Sequence, residues 1–130
     1  MSAAKTKARS RNAAGKARKI VQFLHRPTCV TCRKARAFLE KRGVALSLRD
    51  LIKERLSAAE LKKLIGGRDH TEFLNPRNEL YRQKKMKDHP PSRKQAIRLM
   101  AREPNLIRRP VIVAGGRVVV GFDEKGMAKL

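Results

Sequence analysis

The chain is 130 residues long and holds 33 Lys and Arg against 11 Asp and Glu, for a net charge of +22. It has four Phe, one Tyr and no Trp, and 41% of its residues are hydrophobic. This length suits one domain that can bury a core without disulfide staples, and the shortage of aromatics argues against a base-stacking single-strand binder. No apolar run reaches transmembrane length and no signal-peptide hydrophobic region is visible, so the expectation is a cytoplasmic protein outside any membrane. The charge predicts attraction to polyanions such as nucleic acid, with plain solubility as the competing explanation. Seven basic side chains and no acid fall in residues 1–19, and the other 111 residues hold 26 basic and 11 acidic ones, so the excess is not confined to one end.

Residues 1–18 are Ala, Ser, Gly, Lys and Arg with almost no large apolar side chain, and are expected to form a disordered basic tail. Arg-rich, acid-poor transit peptides share this composition, but the segment lacks the Leu or Phe that would stripe one helix face. Residues 19–130 are read as the folded domain. Ile20 to Leu24 reads as a short buried strand, broken by His25-Arg26-Pro27-Thr28. A helix follows from Cys29 to about Arg42, with Thr28 as its N-cap and Gly43 as its stop. Ala35, Phe38, Leu39 and Arg42 share a face, and the first three can pack on a sheet. Val44 to Asp50 reads as a half-buried strand in which Leu46 and Leu48 alternate with Ser47 and Arg49. Strand–helix–strand implies parallel pairing through a right-handed crossover.

Ser57-Ala58-Ala59-Glu60 is a capping box opening a helix with Leu61, Leu64 and Ile65 on one face, closed by Gly66-Gly67. A short turn over 71–74, a loop over Asn75-Pro76-Arg77-Asn78 and a short helix over 80–86 lead to His89-Pro90-Pro91. Ser92-Arg93-Lys94-Gln95 is a second capping box, before a helix carrying Ala96, Leu99 and Met100 and ended by Pro104. The period then changes: Val111-Ile112-Val113 and Val118-Val119-Val120 are β-branched runs around Gly115-Gly116, a hairpin signal. Asp123 can cap a last helix over 124–130. The whole predicts an α/β domain with a mixed four-stranded sheet and an inserted helical region.

The only two cysteines form one C-x-x-C, Cys29-Val30-Thr31-Cys32, at the strand-to-helix junction. In the first helical turn, free backbone N–H groups and the positive end of the helix dipole favour a Cys29 thiolate. Cys32 lies one turn along the same face, within reach of a bond made by Cys29. A buried cysteine pair or half a zinc site are the alternatives. Zinc takes four ligands, and the chain adds only His25, His70 and His89, without H-x3–5-H spacing, so no metal is expected. Pro110, just before a β-branched strand, marks a candidate cis bond.

Cys29-Val30-Thr31-Cys32-Arg33-Lys34-Ala35-Arg36-Ala37-Phe38-Leu39-Glu40, together with Leu106-Ile107-Arg108-Arg109-Pro110 ahead of the hairpin and Gly121-Phe122, resembles the ArsC/Spx family of thioredoxin-like proteins. The resemblance runs from about Ile20 to Leu130. It implies a thioredoxin-like fold with Pro110 as a structural cis-proline facing the cysteines. It gives Arg109 the role of binding an anion or stabilising the Cys29 thiolate, and Arg77 that of a second anion-binding arginine; a guanidinium fork suits a tetrahedral oxyanion. Arg108 is expected on the surface. The family has two branches. Glutathione- and glutaredoxin-linked arsenate reductases use one nucleophilic cysteine and three arginines, and this chain has Gly121-Phe122 where the third arginine falls. Spx-type regulators carry the C-x-x-C as a disulfide switch and bind RNA polymerase through the C-terminal domain of its α polypeptide. The stretch that helps make that contact is shortened here to Gly66-Gly67-Arg68-Asp69.

The reading is therefore a monomeric thiol–disulfide protein, an arsenate reductase-like oxidoreductase in which Cys29 attacks and Cys32 resolves. No bound cofactor is expected, and glutathione with glutaredoxin, or thioredoxin, serves as external reductant. The alternative is an Spx-like redox-sensing regulator of RNA polymerase. A third reading, resting on charge alone, is a nucleic-acid-associated protein with vestigial thiols.

Overall fold

The computed structural model describes residues 20–130; the predicted basic tail lies outside them. The elements are β1 (Ile20–His25), α1 (Val30–Lys41), β2 (Ala45–Asp50), α2 (Ala58–Ile65), a 3-10 turn (His70–Phe73), α3 (Glu79–Gln83), α4 (Arg93–Arg102), a 3-10 turn (Pro104–Leu106), β3 (Val111–Ala114), β4 (Arg117–Val120) and α5 (Glu124–Ala128). The four strands make one mixed sheet in the order β2-β1-β3-β4. β1 and β2 pair in parallel, Phe23 opposite Leu48. β3 pairs antiparallel with both β1 and β4. This is the expected thioredoxin-like α/β sheet, with α2 to α4 inserted between β2 and β3.

Alternation along the strands divides the core in two. Val21 and Phe23 of β1, Ile112 of β3 and Val119 of β4 pack with Ala35 and Leu39 of α1 and Met127 of α5 on one face. On the other, Leu24 and Val111 meet Leu61 and Ile65 of α2, Phe73, Ala96 and Met100 of α4, and Leu106. The insert is thus part of the main core, not a flap on it. Truncating a fully buried aromatic such as Phe23 or Phe73 costs roughly 3–5 kcal/mol in such a setting.

Local chemistry sets most of the helix ends. After α1, Gly43 takes a φ of +79°, its N–H donating to the Glu40 carbonyl and that of Val44 to the Leu39 carbonyl. This is a Schellman-type stop that a residue with a Cβ resists. At α2 the capping box is complete: Ser57 Oγ accepts from the Glu60 N–H at 3.1 Å and Glu60 accepts from the Ser57 N–H at 3.0 Å. Glu60 also receives Arg49 at 2.7 Å, tying α2 to β2, and this bond holds its carboxyl down to about 2. Ser57→Ala is expected to lower stability by about 1 kcal/mol, readable as a shift of the urea midpoint with unchanged slope.

Several local expectations are corrected. The N-cap of α1 is Cys29, not Thr28. The Cys29 N–H closes a turn onto the Arg26 carbonyl, so helical bonding begins only with Arg33 donating to the Cys29 carbonyl. Leu48 is 42% exposed, because β2 is an edge strand. At α4 Ser92 accepts from the Gln95 N–H but no bond returns, so the second box is half made. Asp123 precedes α5 without a side-chain cap, and that helix ends at Ala128. The helix expected over 80–86 is α3, Glu79–Gln83, and Met86 is buried in the turns beyond it.

Candidate functional site

β1 ends in the core at His25, which is buried and packs edge-on to Phe23 at 5.2 Å. Burial pushes its pKa down, Asp50 pulls it up, and Arg36 adds to the lowering. The chain then turns through Arg26-Pro27-Thr28 and delivers both cysteines, which are free, to the start of α1. Cys29 is half-buried and Cys32 is 1% exposed. Among the described residues no three His, Cys, Asp or Glu side chains gather as a metal site would require.

The two thiols are held in opposite states. Burial pushes Cys29 up, but the Cys32 backbone N–H, the Cys32 thiol and the Arg109 guanidinium outweigh it, and the thiol lies below its usual value. For Cys32, burial dominates; the Arg26 backbone opposes it, the neighbouring Cys29 adds to it and Arg109 lowers it slightly, so the thiol is pushed up to about 12. The thiolate therefore forms more readily at Cys29 than at Cys32, an asymmetry of the kind that separates an attacking thiol from a resolving one.

Arg109 reaches the cysteines from the loop before β3, where Pro110 follows it. The Arg109–Pro110 peptide bond is cis, Pro110 is buried, and its carbonyl accepts from the Gly121 N–H at 2.8 Å. Arg109 is half-buried, and its Nη1 donates to the carbonyl and side-chain oxygens of Asn105, both at 3.4 Å. Its Nε is buried and has no acceptor. A buried charged donor without a partner is costly, so this N–H is free to take an acceptor.

These groups share one open cleft of about 760 Å³. Cys29, Thr31, Arg77, Glu79, Arg82, Arg108, Arg109, Gly121 and Phe122 are among the residues that line it. Arg77 is exposed and stands on the cleft wall with Arg109 and Cys29, its backbone N–H donating to Asn75 Oδ1 at 3.1 Å. Arg108 is exposed, as expected, but its guanidinium also lies across Gly121: a Cβ added there would sit 3.1 Å from Arg108 Nε. Gly121 has a φ of +79°, which favours glycine there. An arginine thus enters the cleft from β3's side at the place where the resemblance leaves a third arginine missing from β4's side.

Sequence reasoning missed Asn105. Its side-chain oxygen accepts from Arg26 Nη1 at 2.9 Å as well as from Arg109, and its carbonyl accepts from Asn75 Nδ2 at 3.2 Å. One residue thus joins the loop before α1, the loop before α3 and the loop before β3. The only hint in the sequence was its place four residues before Arg109. Asn105→Ala is expected to loosen both arginines, raise the Cys29 pKa and slow its alkylation at neutral pH several-fold. Asn105→Asp should restore much of the rate.

A parallel βαβ start, an antiparallel hairpin end, a dithiol at a helix N-terminus and a proline loop with an arginine facing it together define a thioredoxin-like dithiol protein. The sequence profile of the ArsC family matches residues 24–130. The chain belongs to the ArsC family. It is similar to the global transcriptional regulator Spx of Bacillus subtilis, 31% identical over 102 residues that cover 75% of this chain and 76% of the relative. Spx of Enterococcus faecalis is 33% identical over 100 residues, with the same coverage. Among solved structures, arsenate reductase from Vibrio cholerae superposes with a TM-score of 0.76 at 27% identity, over 87% of this chain and 98% of that one. An arsenate reductase related protein from Brucella melitensis gives 0.69 at 26% identity, over 85% and 93%.

Proposed function

We propose that this protein is a thiol–disulfide redox protein in which Cys29 is the nucleophile, Cys32 the resolving thiol and Arg109 the group that stabilises the Cys29 thiolate. The observation that carries the reading is the pairing of a low-lying, accessible thiol with a buried, high-lying one on the same helix start. The Cys29 thiolate attacks one sulfur of an oxidised substrate, forming a mixed disulfide and releasing the other sulfur as thiolate. The negative charge beside Cys32 is then gone, which removes one of the causes that kept its proton on. Cys32 loses that proton and attacks Cys29, releasing the second substrate thiol. Two electrons leave the pair and an internal disulfide remains, which an external thiol (glutathione with glutaredoxin, or thioredoxin) reduces by the reverse exchange. An oxyanion such as arsenate would be reduced with the same two electrons. Arg109, Arg77 and Arg108 would hold its oxygens in the cleft.

The second reading is an Spx-like regulator, in which the same disulfide sets the affinity of a monomeric cytoplasmic protein for RNA polymerase. The C-x-x-C itself and the two Spx relatives favour it. Among the described residues no helix is long and apolar enough to cross a membrane. Two parallel assays separate the readings. Arsenate-dependent loss of free thiols, sustained by a glutathione and glutaredoxin supply, supports the reductase. Retention of RNA polymerase on the immobilised protein that changes between oxidising and reducing buffer, with no arsenate turnover, supports the regulator. Neither result together with no exchange on a simple disulfide would reject the redox reading as a whole.

A further inference from the structure

The helical insert has a surface that the redox chemistry leaves unused. α2 and α4 pack side by side with Leu61, Ile65, Ala96 and Met100 turned into the core. Their outer junction forms a groove of about 690 Å³. Its floor is apolar and shallow, made by Ala58, Ala59, Ile97 and Ala101. Its rim is Lys62, Arg93, Lys94, Arg98 and Arg102, and no acidic residue lines it. The described residues contain two ion pairs, Arg36–Glu40 and Arg49–Glu60, so none of the five rim cations has a carboxylate partner there. Residues 1–19 carry no acid that could neutralise them.

We propose that this groove docks an acidic amphipathic helix of a protein partner. α4 spans ten residues, so the groove is about 15 Å long, matching some three turns of a ligand helix. Three alanines in the floor let a third helix approach to the roughly 8–10 Å of ordinary helix packing. The ligand's apolar stripe would cover Ile97 and the alanines, while Glu and Asp beside the stripe meet the rim. Charge complementarity selects this occupant. A second copy of the chain would bring the same unpaired cations against themselves. A nucleic acid backbone would neutralise the rim but set polar sugar-phosphate on an apolar floor.

The test uses the full chain and a fluorescein-labelled peptide of about 18 residues with Leu at i, i+3, i+4 and i+7 and Glu elsewhere. A scrambled peptide of equal composition and a DNA duplex of roughly 20 base pairs serve as comparisons. The striped peptide should bind at least ~10-fold more tightly than the scrambled one, resist displacement by the duplex, and protect amides of α2 and α4 from hydrogen exchange. Ala59→Glu and Arg98→Glu should each weaken it. Both positions are exposed, and an acid at residue 59 suits the first turn of α2, so these variants should fold, as circular dichroism will report. Equal binding of the two peptides, displacement by the duplex at matching concentration, or full affinity in Ala59→Glu would overturn the proposal.

Discussion

Cys29→Ser is expected to abolish thiol–disulfide exchange, lowering the rate of reduction of a simple disulfide by on the order of 10³-fold or more, to the uncatalysed background. A serine hydroxyl at neutral pH offers far less of its anion than a thiol already held below its usual pKa, and it is a poorer nucleophile towards sulfur. The side chain is half-buried at the mouth of the cleft, so the fold should survive and the unfolding midpoint should barely move. Retained exchange in Cys29→Ser would mean that Cys32 is the attacking group, against its burial and its high pKa.

Arg109→Ala is the second large effect, and it is a pH effect. The Cys29 pKa is depressed in the native protein, and Arg109 is one of the causes of the depression. Plotted against pH, the alkylation rate of the wild type should rise through a midpoint below the ordinary thiol value. In Arg109→Ala the midpoint moves up, so the deficit is largest at and below neutral pH and closes as the pH passes the variant's own midpoint. Cys32 should not contribute a second thiolate in this window, since its proton is held to about 12. Arg109→Lys keeps the charge but loses the fork and its two bonds to Asn105, so it should restore only part of the shift. An unchanged midpoint in Arg109→Ala would assign the depression to the helix start and the Cys32 thiol alone.

The architecture was legible because its signals are local. A buried strand, a C-x-x-C, a helix stopped by Gly43 and a second strand lie within about thirty residues, and β-branched runs around Gly115-Gly116 close the sheet. The complete box at Ser57 is likewise a four-residue matter. The pattern of residue types misleads where a sheet edge or the hydrogen bond of a turn decides. Leu48 looked half-buried by alternation, but β2 is an edge strand. Thr28 looked like the cap, but the turn onto the Arg26 carbonyl moves that position to Cys29. In the cleft, Cys29 and Cys32 announce themselves by spacing, and Arg109, Pro110 and Arg77 were placed by resemblance. Asn105 could not be read at all, because its bond to Arg26 joins residues 79 positions apart. Arg108 is exposed, as the sequence leads one to expect. That it covers Gly121 depends on β3 and β4 being adjacent, which a single sequence does not display residue by residue.

The central claim is that the dithiol resolves itself. A neighbouring thiol held on the same helix start acts at high effective concentration and does not have to be recruited from solution. The direct measurement is intact mass spectrometry after mild peroxide in the presence of glutathione. The wild type should lose two hydrogens, forming the Cys29–Cys32 disulfide. Cys32→Ser should instead gain an oxygen or a glutathione on Cys29, as sulfenic acid or mixed disulfide. A wild type that ends as a stable Cys29–glutathione adduct with Cys32 free would contradict the account and favour a single-cysteine reductase.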